Sequence, residues 1–326
     1  MGGFFTKQRS AQPVNSLLDS RIYCSYKQLV SIQSQAQGFN LLPHASAHAN
    51  MTGRHRSLFR GRGLNFEELK HYQAGDDIRN IDWKTTIRLG KPYVRSYTEE
   101  KDREVLILVD QRSGMFFSSQ SIMKSVIAAE IAALCAWQAI KQGDRIGFVI
   151  AEPHRVYMGA PCRSQPNLLA KFRDISAANQ RLNRCSSDQI LSDFSHIVQM
   201  LKRLNPKTST LILISDWHDA TEKDLDALKY LQQRNDVLSV LISDPFEQQL
   251  PEHLYNNSWV IGDGEQQMHI GGKKLVTALN HVLFNEGQNK RTQLQKLMAM
   301  KQLPLIELDT AGAHLRQFKQ QVGGRT

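Results

Sequence analysis

The sequence predicts an α/β protein: a parallel sheet with helices on both faces, preceded by a small β-rich module. Three observations predict it. Three short, mainly apolar runs, at 104–110, 209–216 and 237–243, read as strands buried on both faces. Segments with apolar residues at helical spacing lie between them, as crossover connections require. Each run closes on an aspartate, Asp110, Asp216 or Asp244, at the sheet end where α/β proteins build their sites.

In chain order, residues 1–20 are polar and aperiodic, and 26–35 predict one short helix. Residues 41–52, rich in Pro, Ala and His, read as a linker. Within 53–100 there is a Gly-Arg-Gly turn, a short helical piece at 66–72 and an alternating strand at 93–97. The strand at 104–110 is followed by a helix at 122–142, on which Val126, Ile127, Glu130, Leu134 and Trp137 recur at helical spacing before Gly143 ends it. Strands at 145–151 and 155–158, helices at 168–175 and 190–204, the strand at 209–216, a helix at 224–234 and the strand at 237–243 come next. A long helix at 277–300 and a last strand at 303–308 complete the alternation. The expected division is an arm, helix and linker at 1–52, a basic β-rich module at 53–102, the α/β domain at 103–311 and a C-terminal helix and tail at 312–326.

Composition narrows the classes. Of 326 residues, 41% are hydrophobic and 22% charged, which suffices for a full core. Four scattered cysteines with no C-x-x-C pair fit a reducing compartment, and no uncharged apolar run reaches bilayer length, so a cytoplasmic protein is expected. Residues 1–97 carry 14 Lys/Arg against 6 Asp/Glu, and residues 98–326 carry 27 against 25. The basic excess peaks at Arg54, Arg56, Arg60 and Arg62, a patch that suits nucleic acid, an anionic membrane or an acidic protein, or else a solvated face paired with nearby acids.

Clustered carboxylates repel one another. If Asp110, Asp216 and Asp244 are neighbours, their crevice needs a metal ion or a basic side chain. The block at 75–83 contains Gly75, Asp76, Asp77, Arg79, Asp82 and Trp83, and reads either as a turn-and-cap network or as a recognition surface anchored by Trp83. His44 and His48 stand four apart but have no third ligand nearby in sequence, and Cys135 sits on an apolar helix as a small hydrophobe.

The strings Gly61-Arg62-Gly63, Tyr72, Gly75-Asp76-Asp77-x-Arg79-x-Ile81-Asp82-Trp83, Glu100 and Asp110 resemble the bacterial family catalogued as domain of unknown function 58 (DUF58). Lys124-Ser125, Ala128-Ala129-Glu130, Gly143-Asp144-Arg145-x-Gly147, Ser215-Asp216 and Asp244-Pro245 continue the resemblance in order, over roughly residues 50–245. It implies a Rossmann-like fold similar to von Willebrand factor type A domains. It also implies a role beside a MoxR-type AAA+ ATPase in chaperone-like assembly or activation of other proteins. Such domains often hold Mg²⁺ through Asp-x-Ser-x-Ser, and this chain departs from that pattern. After Asp110 come Gln111, Arg112, Ser113 and Gly114, so two hydroxyls are lost and a fixed cation is gained. Arg112 is therefore expected to pair with Asp110 or Asp216, the alternative being a weakened metal site of Asp110, Ser113 and Asp216.

No phosphate-binding loop, dinucleotide fingerprint or nucleophile elbow is present. The expected function is a non-enzymatic interaction module presenting Asp110, Arg112, Ser113, Asp216 and Asp244 to protein partners, with no cofactor. A nucleic-acid binder using Arg54 to Arg62 is the alternative. A metal-dependent hydrolase lacks a general base.

Overall fold

Helix α1 (Tyr26–Ser31) opens with a capping box. Ser25 Oγ accepts from the Gln28 N–H at 3.2 Å, and the Gln28 side chain accepts from the Ser25 N–H at 3.4 Å. The computed structural model describes residues 19–36, 65–73, 77–98, 103–189, 192–247, 259–262, 267–270, 277, 280 and 291–323. They fall into two units, one within residues 42–103 and the other, which includes α1, comprising the rest.

In the smaller unit, β1 (Asn65–His71) pairs antiparallel with β2 (Tyr93–Thr98), with a register shift between Phe66 and Glu68. The helical piece expected at 66–72 is thus a strand. Its apolar residues have helical spacing, but ladder hydrogen bonds to β2 along its length override a weak local preference. Helix α2 (Trp83–Leu89) lies between the two strands in sequence, with Asp82 as its N-cap and Gly90 as its C-cap at φ +69, a left-handed conformation that favours glycine.

The larger unit holds a six-stranded sheet. Its elements are β3 (Glu104–Asp110), α3 (Lys124–Lys141), β4 (Arg145–Glu152), β5 (Arg155–Met158), α4 (Gln165–Arg181), α5 (Phe194–Leu204), β6 (Ser209–Ser215), α6 (Glu222–Gln232) and β7 (Asp236–Ser243). A short antiparallel pair, β8 (Trp259–Gly262) and β9 (Gln267–Ile270), precedes α7 (291–300), β10 (Leu305–Asp309) and α8 (His314–Gly323). The strand order is β10-β7-β6-β3-β4-β5. All neighbours run parallel except β5, which folds back antiparallel on β4 after the Pro153–His154 turn, so the sheet is mostly rather than wholly parallel. Of the long helix expected at 277–300, residues 277, 280 and 291–300 are described, and all are helical.

Strand alternation divides the core into two layers. Val105, Ile107 and Val109 pack with α1, α3, α4 and α8, while Leu106 and Leu108 pack with α5, α6 and α7. Each fully buried Val, Leu, Ile or Phe contributes about 1.5–3 kcal/mol. Helix α3 is buried continuously from Lys124 to Ala139, and its alanines let the sheet and three other helices approach closely. Glu130, in the middle of this apolar helix, is satisfied from two sides: Gln28 Nε2 donates to Oε1 at 2.6 Å, and His314 Nε2 lies 2.5 Å from Oε2. Helices α1 and α8, expected as parts of separate terminal segments, therefore close the α/β layer itself.

A buried polar chain ties α1 to the end of β3. The Cys24 N–H donates to Asn179 Oδ1 at 2.6 Å, Asn179 Nδ2 donates to Gln111 Oε1 at 2.9 Å, and Gln111 Nε2 donates to the Ser125 carbonyl at 2.8 Å. Asn179→Leu would leave the Cys24 N–H and the Gln111 carbonyl oxygen buried without partners, at about 1–3 kcal/mol each. Urea denaturation is expected to show a loss of about 2–4 kcal/mol, with no change of secondary structure by circular dichroism.

Candidate functional site

Strands β3 and β6 are adjacent and parallel, so their carboxyl ends open side by side. Asp110 closes β3 and is 1% exposed. Ser215, the last residue of β6, donates its hydroxyl to Asp110 Oδ2 at 2.6 Å. The chain then turns so that the Arg112 N–H donates back to Asp110 Oδ1 at 3.0 Å. The Arg112 guanidinium completes the ring, donating from Nε to Oδ1 at 3.0 Å and from Nη2 to Oδ2 at 2.8 Å.

Arg112 uses its far edge as well. Nη1 donates to Asp219 Oδ2 at 2.6 Å and to the Ser192 carbonyl at 3.2 Å, and Nη2 donates to Asp219 Oδ1 at 3.0 Å. One planar fork thus bridges two carboxylates, a geometry an ammonium group cannot supply. The loop after β6 bends sharply to deliver Asp219. Trp217 adopts a left-handed φ of +57, a strained conformation for a bulky residue, typically costing about 1–3 kcal/mol. It is held there by the Trp217 N–H donating to Ser215 Oγ at 3.1 Å, the indole donating to the Val240 carbonyl at 3.0 Å, and ring contact with Phe194 at 4.7 Å.

Asp216 has a different cation. Lys124, the first residue of α3, is buried and donates to Asp216 Oδ2 at 2.9 Å and to Glu247 Oε1 at 2.5 Å. Gly114 packs its backbone against the same carboxylate, since a Cβ there would stand 3.2 Å from Asp216 Oδ2. Glu247 also accepts from the Asp244 N–H at 2.9 Å. Asp244 itself receives the Ser119 N–H at 2.7 Å, the Thr310 hydroxyl at 2.6 Å and the Phe246 N–H at 2.9 Å, together with the Ser119 hydroxyl.

These settings tune the carboxyls differently. Burial pushes Asp110 above the ordinary carboxylate range, against the pull of Arg112 and the Ser215 hydroxyl, and the charge of Asp216 adds to the rise. Burial also works against Asp216, but the Lys124 ammonium more than offsets it and holds that carboxyl low. Asp219 is likewise held low, its partial burial outweighed by the bonds from Arg112. Lys124 and Arg112 are both raised: burial opposes their charge, and the paired acids overcome it.

The donor set does not fit a divalent metal. Both oxygens of Asp110 accept from Arg112, Asp216 accepts from Lys124 on Oδ2 and from the His218 N–H on Oδ1, and Ser113 Oγ donates to Asp188 Oδ2 at 2.7 Å. Among the described residues, no group of three or more His, Cys, Asp or Glu side chains is arranged to hold a metal.

The structure thus brings Asp110, Arg112 and Asp216 to one rim, with Asp244 linked to it through Glu247 and Lys124. Arg112 is shared by Asp110 and Asp219, whereas Asp216 belongs to Lys124. Sequence reasoning missed Lys124, Asp188, Asp219 and Glu247. The signals available were the lysine heading an apolar helix and the second acid of Asp216-Trp217-His218-Asp219. In the smaller unit, Asp77 accepts from the Arg79 N–H at 3.0 Å and Asp82 accepts from the Thr85 N–H at 2.9 Å, so both are caps. Asp82 also pairs with Arg95, at 2.9 Å. Trp83 is exposed. His44, His48, Arg54, Arg56, Arg60, Arg62, Gly75 and Asp76 lie outside the described residues. Cys135 is buried, and burial pushes its thiol up.

The chain belongs to the family described as protein of unknown function DUF58, whose model matches residues 68–265. It is 24% identical over 200 residues to uncharacterized protein Rv1480 of Mycobacterium tuberculosis and to uncharacterized protein Mb1516 of Mycobacterium bovis. Each match covers 61% of this chain and 61% of the relative, so the chain spans less than two thirds of those proteins. Among solved structures it is similar to a conserved hypothetical protein, BatB, of Bacteroides thetaiotaomicron, at 10% identity and a TM-score of 0.40 over 68% of this chain and 97% of that one. An aerotolerance-related membrane protein of Bacteroides fragilis gives 11% identity and a TM-score of 0.38 over 68% of this chain and 100% of that one. Among the described residues, no helix is long and apolar enough to cross a membrane.

Arg112→Met is expected to destabilise the fold by about 3–5 kcal/mol at neutral pH, because it leaves Asp110 buried and uncompensated. The deficit should shrink as pH falls, since protonating Asp110 removes that charge; urea titrations across acidic pH check it. Asp216 is shifted in the opposite direction to Asp110, yet the deficit of Asp216→Asn also shrinks as pH falls. The folded-state value of Asp216 is depressed, so its stabilisation is present above the ordinary carboxylate value of about 3.9 and is lost as pH falls through the depressed one. Wild type should therefore exceed Asp216→Asn in stability at neutral pH, and the two should converge in strong acid.

Proposed function

We propose that this chain is a non-enzymatic protein-interaction module of von Willebrand factor A-like architecture. On this reading it works with a MoxR-type AAA+ ATPase in chaperone-like assembly or activation of other proteins. The architecture is supported by a mostly parallel six-stranded sheet with helices on both faces and acids at its carboxyl edge. The ATPase partner rests on the family resemblance.

One observation carries the non-enzymatic part: the groups that could do chemistry at the rim are already spent. Asp110 receives bonds from Arg112 and Ser215, Asp216 from Lys124, and Ser113 is bound to Asp188 through both its N–H and its hydroxyl. A general base needs a free lone pair within reach of substrate, and the carboxylates of Asp110 and Asp216 are taken up by Arg112, Ser215 and Lys124. A rim of fixed, mutually neutralising charges instead suits recognition of a protein surface, where complementary polar groups set partner and register.

Two measurements test this. Calorimetric titration with Mg²⁺ is expected to give no binding tighter than millimolar; tighter binding would restore a metal-site reading. Co-purification with a MoxR-type ATPase from the same organism, in the presence of ATP, ADP and no nucleotide, is expected to recover a complex in at least one state. Recovery in none would refute the partnership.

A further inference from the structure

Helix α2 is built with its polar side inward. Thr86 Oγ1 accepts from the Tyr93 N–H at 3.0 Å, the Asp82 N–H donates to the Tyr93 carbonyl at 2.8 Å, and Arg95 holds Asp82 at 2.9 Å, so the threonine side rests on β2. Trp83, 62% exposed, and Ile87, 81% exposed, point away. Leu89, at the helix end on the threonine side, is 51% exposed, and Ile78 on the preceding turn is 62% exposed. Trp83 and Ile87 stand one turn apart on the same face. Lys84 and Arg88 form the adjoining exposed stripe, with Arg79 and Lys91 also exposed. Among the described residues, Lys84, Arg88 and Lys91 make no ion pair with an acid. Residues 77–95 contain five Lys/Arg and two Asp/Glu, and both of those acids serve as caps.

An aromatic and an aliphatic side chain standing out of a short helix, beside cations that make no ion pair among the described residues, fit one kind of surface best. The centre of a protein interface is depleted in charge and is matched by a shaped pocket. Nucleic acid would use the cations but gains nothing from exposed Ile78, Ile87 and Leu89. The boundary of an anionic bilayer accepts both at once. Indole and aliphatic groups sit at headgroup depth, while Lys and Arg extend their charged ends to lipid phosphates. We propose that the face formed by Trp83, Lys84, Ile87 and Arg88 is a peripheral docking surface for anionic lipid. Its charge complementarity comes from Lys84, Arg88, Arg79 and Lys91, and it does not depend on the rim of the larger unit.

The full chain is tested by flotation with vesicles of phosphatidylcholine mixed with phosphatidylglycerol, against vesicles of phosphatidylcholine alone. Binding is expected to the anionic vesicles only and to weaken as salt rises. The double variant Trp83→Ser, Ile87→Ser changes only exposed side chains; it should keep the wild-type melting temperature and lose most of the binding. Lys84→Ala with Arg88→Ala should weaken partitioning on the order of tenfold. Failure to float with anionic vesicles at low salt overturns the proposal, as does binding that the Trp83 and Ile87 changes leave intact. Two other results also overturn it by assigning the face elsewhere. One is self-association, seen by sedimentation, that the double variant abolishes, which makes a second copy the occupant. The other is equal retention of an oligonucleotide that the same variant abolishes, which makes it a nucleic-acid site.

Discussion

A carboxylate closed off from water at the end of a central strand must be neutralised where it stands. Asp110 is such a group, flanked by β4 and β6 and roofed by the turn that follows it. Moving an ion of this kind out of water costs several kcal/mol even after relaxation, and only close partners recover it. Arg112, Ser215 and the turn backbone are those partners. Arg112 extends the arrangement to Asp219, fixing the loop after β6 and the left-handed Trp217 within it. The rim therefore keeps its shape through interactions within the chain.

The same logic repeats one strand along. Lys124 lies at the start of the most buried helix, yet its ammonium remains charged because Asp216 and Glu247 meet it. Glu247 then reaches the backbone of Asp244, which is itself saturated by Ser119 and Thr310. The carboxyl edge is thus a line of acids answered by cations and hydroxyls, with Arg112 and Lys124 each serving two carboxylates. Two of the acids lie nearer the solvent, Asp188 on Ser113 and Glu247 on Lys124. A partner approaching the rim would meet these side chains first.

Much of the sheet was legible in the sequence, because strands buried on both faces must be apolar throughout and helices between them must repeat every three to four residues. Residues 104–110 and 209–216 read as such strands, and the second ends one residue earlier, at Ser215. The stretch at 66–72 was not legible, because a strand of Phe, Glu, Glu, Leu and Lys is set by the strand it pairs with, and that pairing is non-local. Arg112 could be read as the cation of the rim because it stands two residues from Asp110. Its second partner, Asp219, lies in the loop after the neighbouring strand β6, more than a hundred residues away in sequence, and no local pattern links the two. Lys124 was visible as a residue but not as a site, since a lysine heading an apolar helix ordinarily points to solvent. The outward apolar face of α2 was half visible: the sequence offered Trp83 as an anchor, and its helical neighbour Ile87 proves to be exposed beside it.

The most direct test of built-in neutralisation is a double-mutant cycle between Asp110→Asn and Arg112→Met, read by chemical denaturation at neutral pH. If the guanidinium is what allows the carboxylate to be buried, the two changes are strongly non-additive, with a coupling of about 2 kcal/mol or more. Additivity within about 0.5 kcal/mol would mean that Asp110 is neutralised by something else, and the account of the rim would fail.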